Sequence, residues 1–441
     1  MAVDILSNKK RESDMKLNYK RTFFIGLAFM SICAFWQLYD YVIQLILKYT
    51  FHFPESLSGV VLAADNVLAL FLLPLFGSLS DRVNTRLGRR TPFILAGTAA
   101  AAVLMMFIPR ADDTVNLPLF LIALGLLLVA MSTYRSPAVA LMPDLTPKPL
   151  RSSANAVINL MGALGGIFTY LIIMFLLPKI DVNTGTKNGS YTTVFAIIAG
   201  FMVLSAIVLV LTVRERKLAD AMPKEEEEVP VGTTGAKLAP EVRRSLIFIL
   251  LSVALWYIAY NALSSAYARY VLEIWNIDES SGASMMLVAT VVATASYIPV
   301  GIISSKLGRK KVILFGVAIM TAAYLAGFFL TSYSPVIYLV MAVIGIGWAS
   351  INVNSYPMVV EMSTGADVGR YTGIYYTFSM AAQIVTPILS GVLIDLFGYR
   401  ILFPYAVIFS GLAFFTMWQV RHGDSRPEAK KSALEYLDSD D

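Results

Sequence analysis

The chain is poor in the residues from which soluble enzymes build metal and redox centres. Its 441 residues hold one cysteine, Cys33, and two histidines, His52 and His422. One cysteine excludes a disulfide framework and a cysteine metal site, and histidines at the ends of two apolar blocks suggest no metal cluster. Charge is scarce too: Asp, Glu, Lys and Arg make up 15% of the residues, against roughly 25% in a soluble domain. Walker loops, zinc motifs and nucleophile elbows are missing, which leaves ATP-driven pumping and hydrolysis without support and predicts neither an enzyme nor a cofactor. No cleavable signal peptide is expected, because the first residues are polar and the first apolar block is too long for an h-region.

Apolar residues are abundant, at 57% with a mean hydropathy of +0.67, and they come in long blocks. A helix needs ~20 apolar residues to cross the hydrocarbon core. Twelve such blocks occur, at 22–48, 57–79, 91–109, 117–142, 152–177, 191–213, 244–268, 279–304, 311–331, 335–360, 371–395 and 401–420. Backbone groups in lipid must be satisfied within the segment, so these blocks are helices; the ~10-residue alternation of barrel strands is absent. The fold class expected is an all-α polytopic membrane protein.

Basic residues set the orientation. With a cytoplasmic N-terminus, 28 of the 35 Lys and Arg fall on inner segments, which places both ends in the cytoplasm. The net charge of +5 is thereby topology and implies no nucleic-acid partner. The longest polar stretch between blocks, Arg214–Arg244, carries the glutamates Glu225–Glu228 and reads as a linker. The expected layout is a cytoplasmic segment 1–21, a six-helix half 22–213, a linker 214–243, a second half 244–420 and a tail 421–441.

Two repeats support the division. "GSLSDRVNTRLGRR", beginning at Gly77, recurs as "GIISSKLGRKK", beginning at Gly301, 224 positions later. "PDLTPKPLRSSANA", with Asp144 and Arg151, recurs as "EMSTGADVGRYTG", with Glu361 and Arg370, at offsets of 217 and 219. Two independent repeats at nearly one offset argue for duplicated halves around a central site.

On these residues the chain resembles the major facilitator superfamily. Gly77, Asp81, Arg82, Gly88, Arg89 and Arg90 resemble its loop between helices two and three, and Gly301, Gly308, Arg309 and Lys310 resemble the degenerate second copy. The insertion "VNTR" at Val83–Arg86, followed by "LGRRTPFI", is similar to the glycoside–pentoside–hexuronide symporters and the sucrose-transporter relatives. The resemblance covers most of the chain apart from the termini and linker. It implies twelve transmembrane helices in two pseudo-symmetric six-helix halves, and sugar transport by alternating access. Where the sucrose branch would carry an arginine just after the helix-four proline, Val139 stands here, and Arg135 lies four residues earlier.

The repeated loop has a chemistry of its own. Asp81 ends the second span, and a carboxylate there can accept hydrogen bonds from a neighbouring helix N-terminus; the resemblance implies the start of span eleven, near Gly369. Arg86, Arg89 and Arg90 could pair with Asp144 or Glu361 and clasp the cytoplasmic side, with Gly88 turning the loop and Arg370 in the second repeat. Alternatively the arginines only anchor the loop.

Charges near the bilayer centre cost ~2.5–3.5 kcal/mol and normally face a cavity or partner. Three sit well inside the blocks: Asp40, Asp65 and Arg135. Two acids and one base cannot all neutralise one another, so one carboxylate is left to carry a proton or a sodium ion. Burial favours a carboxylate's protonated form and a nearby guanidinium its ionised form, so changing their separation can load and release a proton. The basic member resembles the sucrose branch, and that resemblance implies a proton, with sodium as the alternative. The competing reading is a static buried ion pair.

Polar and aromatic residues at helical spacing mark a cavity wall. Span one offers Trp36, Gln37 and Gln44, span two Asn66, and span five Asn155 and Asn159. Span seven offers Tyr257, Tyr260 and Asn261, span ten Trp348, Asn352 and Tyr356, and span eleven Gln383. Aromatic faces with directional amides suit a sugar, though such residues also serve as interface belts and inter-helix contacts. The expected protein is a proton-coupled symporter of a glucoside or disaccharide, monomeric and in the plasma membrane. A proton-coupled exporter of drugs or sugars, or a non-transporting sensor or scaffold, is the alternative.

Overall fold

A run of apolar residues longer than a bilayer is thick can satisfy its backbone only by coiling. In the computed structural model, which describes residues 17–147, 150–181, 184, 187–220, 239–362 and 368–424, twelve helices are long and apolar enough to cross a membrane. They are α1 (Tyr19–Thr50), α2 (Glu55–Arg82), α3 (Thr91–Asp113), α4 (Leu117–Asp144), α5 (Arg151–Leu176), α6 (Thr192–Thr212), α7 (Pro240–Trp275), α8 (Glu279–Leu307), α9 (Arg309–Phe329), α10 (Val336–Val360), α11 (Val368–Phe397) and α12 (Leu402–Gln419). Glu225–Glu228 and most of the expected tail lie outside the described residues.

Packing repeats with a period of six helices. In the first half α1 packs on α5 and α6, α3 on α4 and α6, and α2 on α4. In the second half α7 packs on α11 and α12, α9 on α10 and α12, and α8 on α10. The halves meet through α2 on α11 and α5 on α8, again related by six. The first sequence repeat therefore lies at the same place in each half, on the turns after α2 and α8, and the second follows α4 and α10. This is the major facilitator fold of two pseudo-symmetric six-helix halves.

Two departures from the expected spans matter for the site. Helix α7 runs on to Trp275, seven residues beyond the expected end at 268, and so carries Arg269 into the bundle. The last part of α1 is π-helical, over Tyr39–Ile43 and Ile46–Thr50. Such wider turns are rare and gather at functional sites; here the first contains Asp40.

The two ends of the bundle are named below by a residue each. The Gly88 end carries the turns after α2 and α8; the Glu55 end carries the start of α2.

Candidate functional site

A cavity of about 210 Å³ lies between the halves. Asp40 and Asp65 both line it. From Leu38 to Leu47 every residue of α1 is buried except Asp40, so that carboxylate reaches cavity solvent and not lipid. Asp65 is half-buried and accepts from Asn66 Nδ2 at 2.8 Å. Arg135 is also half-buried, and its guanidinium sits 5.6 Å from the Trp36 ring centroid. Among the described residues no carboxylate lies within ion-pair distance of Arg135, so neither acid is neutralised by direct contact.

The amide wall follows from helical register. Gln37, Asp40 and Gln44 occupy one face of α1, and Tyr260, Asn261, Ser264 and Ser265 one face of α7. Gln383 of α11 and Asn66 of α2 complete the polar lining. Gln44 Nε2 donates to the Asp40 carbonyl at 2.9 Å. Its Oε1, and Asn261 Nδ2, are buried without a hydrogen-bond partner among the described residues. An adjoining space is lined by Gln37, Asn159, Tyr260 and Trp348, and shares Gln37, Tyr260 and Thr290 with the first. There Tyr260 and Trp348 stack at 3.8 Å between centroids and 8° between planes.

Other expected wall residues lie behind this surface. Trp36 backs Arg135 and packs on Phe35 and Tyr39. Tyr257 meets Trp348 edge-on at 5.3 Å. Asn352 is 3% exposed, and Tyr356 hydrogen-bonds Thr372 at 2.9 Å near the Gly88 end. Asn155 lies one turn before Asn159, towards that end, and is absent from both linings. Sequence reasoning missed Tyr170, Met286 and Thr290, which line the cavity; Tyr170 stands eleven residues after Asn159, three turns along the same face of α5. Among the described residues no cluster of three His, Cys, Asp or Glu could hold a metal.

The halves are fastened at the Glu55 end. Glu55, 3% exposed, forms an ion pair with Arg269 of α7, 4% exposed. Tyr399 Oη donates to Glu55, and Lys48 Nζ lies 3.2 Å from it. Asp395, at the end of α11, accepts from the backbone N–H of Glu55 and Ser56 at 2.8 Å each, capping the N-terminus of α2. Tyr41 donates to the Glu279 carbonyl, Tyr49 to Glu273 at 2.8 Å, and Lys179 pairs with Asp278 at 2.6 Å. A Cβ on Gly59 would overlap the Pro387 backbone, and one on Gly391 the Glu55 backbone.

At the Gly88 end, among the described residues, the charges pair within their own half, and of the two expected acceptors for the loop arginines it is Asp144 that is paired with them. Among the described residues the partner of Asp81 is Arg90 of its own half, at 2.5 Å; residues 363–367, just before α11, lie outside them. Arg90 Nε also donates to Asp144 at 2.8 Å, with Arg89 at 3.5 Å from the same carboxylate. Arg86 is exposed, and Glu361 pairs with Arg309 of its own half. The side chain of Arg370 lies outside the described residues. The carboxylate that caps a helix of the opposite half among the described residues is Asp395, at the Glu55 end.

The N-terminus of α3 is capped by a residue the sequence reading assigned to the linker. Glu215 opens a short helix, Glu215–Asp220. Its carboxylate accepts from the backbone N–H of Arg89, Arg90 and Thr91 at 2.7, 2.9 and 2.8 Å, and from Thr91 Oγ1 at 2.6 Å. Gly88, at φ +122°, presents these groups, and Glu215 leaves no room for a Cβ there. In the second half Asp424 accepts from Lys310 N at 2.8 Å beside Gly308, φ +92°.

A duplicated six-helix bundle whose halves are fastened at one end over a polar cavity is the major facilitator architecture. The chain belongs to the MFS/sugar transport protein family, whose profile matches residues 24–406, and that family comprises transporters, not enzymes. It is 29% identical over 31% of its length to the sucrose transport protein SUC4 of Arabidopsis thaliana, 28% of which is matched; the chain thus spans about a third or less of the first curated relatives it matches. It is 27% identical over 73% of its length to the glucuronide carrier protein homolog of Escherichia coli (strain K12), 68% of which is matched. Among solved structures it superposes on the inward-open xylose transporter XylE from E. coli with a TM-score of 0.61 at 17% identity, covering 95% of this chain and 98% of that one.

Proposed function

We propose that the protein is a proton-coupled symporter of a glucoside or disaccharide, working by alternating access in the plasma membrane with both termini and the Gly88 end in the cytoplasm. The observation that carries this reading is that Asp40 and Asp65 share one solvent-reached cavity while Arg135 pairs directly with neither. With one guanidinium near two carboxylates, full ionisation leaves a net negative charge that a proton removes. Amides on α1, α7 and α11 supply directional partners for hydroxyls, and the Tyr260–Trp348 stack offers an apolar face for sugar C–H groups. The relatives' printed substrates, sucrose and glucuronide, belong to the same chemical class. Basic residues clustered at the Gly88 end support the orientation.

The test is purified protein in liposomes, assayed with a panel of labelled mono- and disaccharides with and without sodium. Sugar-dependent alkalinisation outside, independent of sodium, is expected. Asp40→Asn and Asp65→Asn are each expected to abolish accumulation while sparing sugar exchange. Wild-type accumulation in both variants refutes the coupling assignment, and sugar efflux driven by an inward proton gradient would establish the exporter reading.

A further inference from the structure

A second pocket, of about 550 Å³, opens at the Gly88 end between the start of α1 and the short helix after α6. Its wall carries four cations, Lys20 and Arg21 from α1 and Arg214 and Lys217 from the far side, over the apolar side chains Phe24 and Leu218. None of the four forms an ion pair among the described residues. Arg21 Nε is buried without a hydrogen-bond partner. Unpaired cations converging on one concavity repel one another, so the arrangement is relieved by an anion with several acceptor oxygens. The surroundings place that anion at a membrane surface: Tyr19, Phe23 and Leu211 beside the pocket are 47%, 45% and 75% exposed, the aromatic and aliphatic belt found where lipid chains end.

We propose that this pocket binds a phosphate group, supplied by the headgroup of an anionic phospholipid. The phosphate oxygens would be held by Arg21, Arg214 and Lys217, with Lys20 at the mouth, and the acyl chains would lie along Phe24 and the exposed belt. Basic pockets at helix ends bind anionic headgroups by this chemistry. The site has a structural consequence. Arg214 and Lys217 flank Glu215, whose carboxylate caps α3, so a bound headgroup would tie α1 to the element that holds the Gly88 turn.

The experiment uses full-length protein in detergent, titrated with phosphatidylglycerol, phosphatidylcholine or sodium phosphate, and reads bound lipid by native mass spectrometry and the thermal midpoint. Preferential retention of phosphatidylglycerol is expected. The Arg214→Gln/Lys217→Gln double variant should lose it by about thirtyfold, at roughly fivefold per cation, and Arg21→Gln, on the opposite wall, by about fivefold. Arg216→Gln, exposed on the same short helix and outside the pocket, should retain it and serves as the charge control. Each variant is first required to elute as the wild type on gel filtration. Equal retention of the two lipids, or equal losses in the pocket variants and Arg216→Gln, overturns the site. Stabilisation by sodium phosphate alone, with the same dependence on these residues and no added effect of lipid, overturns the lipid assignment in favour of a soluble phosphate compound.

Discussion

Breaking the Glu55–Arg269 pair should open the end of the bundle that it fastens. Both residues are almost fully buried, at 3% and 4% exposed, and they sit on opposite halves. Removing one partner of a buried pair typically costs ~3–5 kcal/mol, because the survivor is left as an uncompensated charge. In Arg269→Met, Glu55 keeps Lys48 at 3.2 Å and the Tyr399 hydroxyl, so we take the lower side, about 2–3 kcal/mol, or roughly 30–150-fold in the equilibrium between closed and open Glu55 ends. The penalty falls only on the closed state, where Glu55 is dry. Spin labels on Thr114→Cys and Ser332→Cys, exposed positions at that end on different halves, in a Cys33→Ser background report the distance between them. The distribution should shift towards longer distances in Arg269→Met, and Glu55→Gln/Arg269→Met should return it to within ~1 kcal/mol of wild type. An unchanged distribution in Arg269→Met would refute the assignment of this pair as a latch.

The close backbone approach of α2 and α11 gives a steric version of the same test: Gly59→Ala and Gly391→Ala collide with the backbone at Pro387 and Glu55, so both should abolish transport and lengthen the same label distance. Trp348→Ala removes the stack against Tyr260 and should raise the half-saturation concentration for sugar about tenfold, measured by uptake; Tyr257→Ala, which does not line the cavity, should change it less. Glu215→Ala orphans three backbone N–H groups at α3 and should destabilise the protein by about 2–3 kcal/mol in thermal denaturation, whereas Arg216→Ala should be close to neutral.

Much of the fold was legible because lipid enforces a coarse rule: runs of about twenty apolar residues must be helices. The repeats at Gly77 and Gly301 were visible because each turn needs a glycine and basic residues at the same register. The acids of the cavity were legible for a related reason, since a charge such as Asp40 inside an apolar block has few places to go. Arg269 escaped because the block containing it was ended at that charge, although Tyr270, Val271, Leu272 and Trp275 continue the apolar pattern. The pairing of Asp81 with Arg90 was not legible because the sequence places several arginines within reach of that carboxylate and does not rank them. Glu215 lay in a polar stretch, where a lone glutamate gives no sign that it folds back beneath a helix. Trp36 and Tyr257 had the right spacing but the wrong depth, because periodicity assigns a face and cannot separate its surface from the layer behind.

Glu215 and Asp424 arrive at the same post from separate places: each follows the final helix of its half and tethers the turn that precedes the third helix of that half. Every half thus carries its own buckle, built without any contribution from the opposite side. Two fragments divided between residues 220 and 239 would each retain theirs, so such fragments, made together, should be able to fold independently and reassemble.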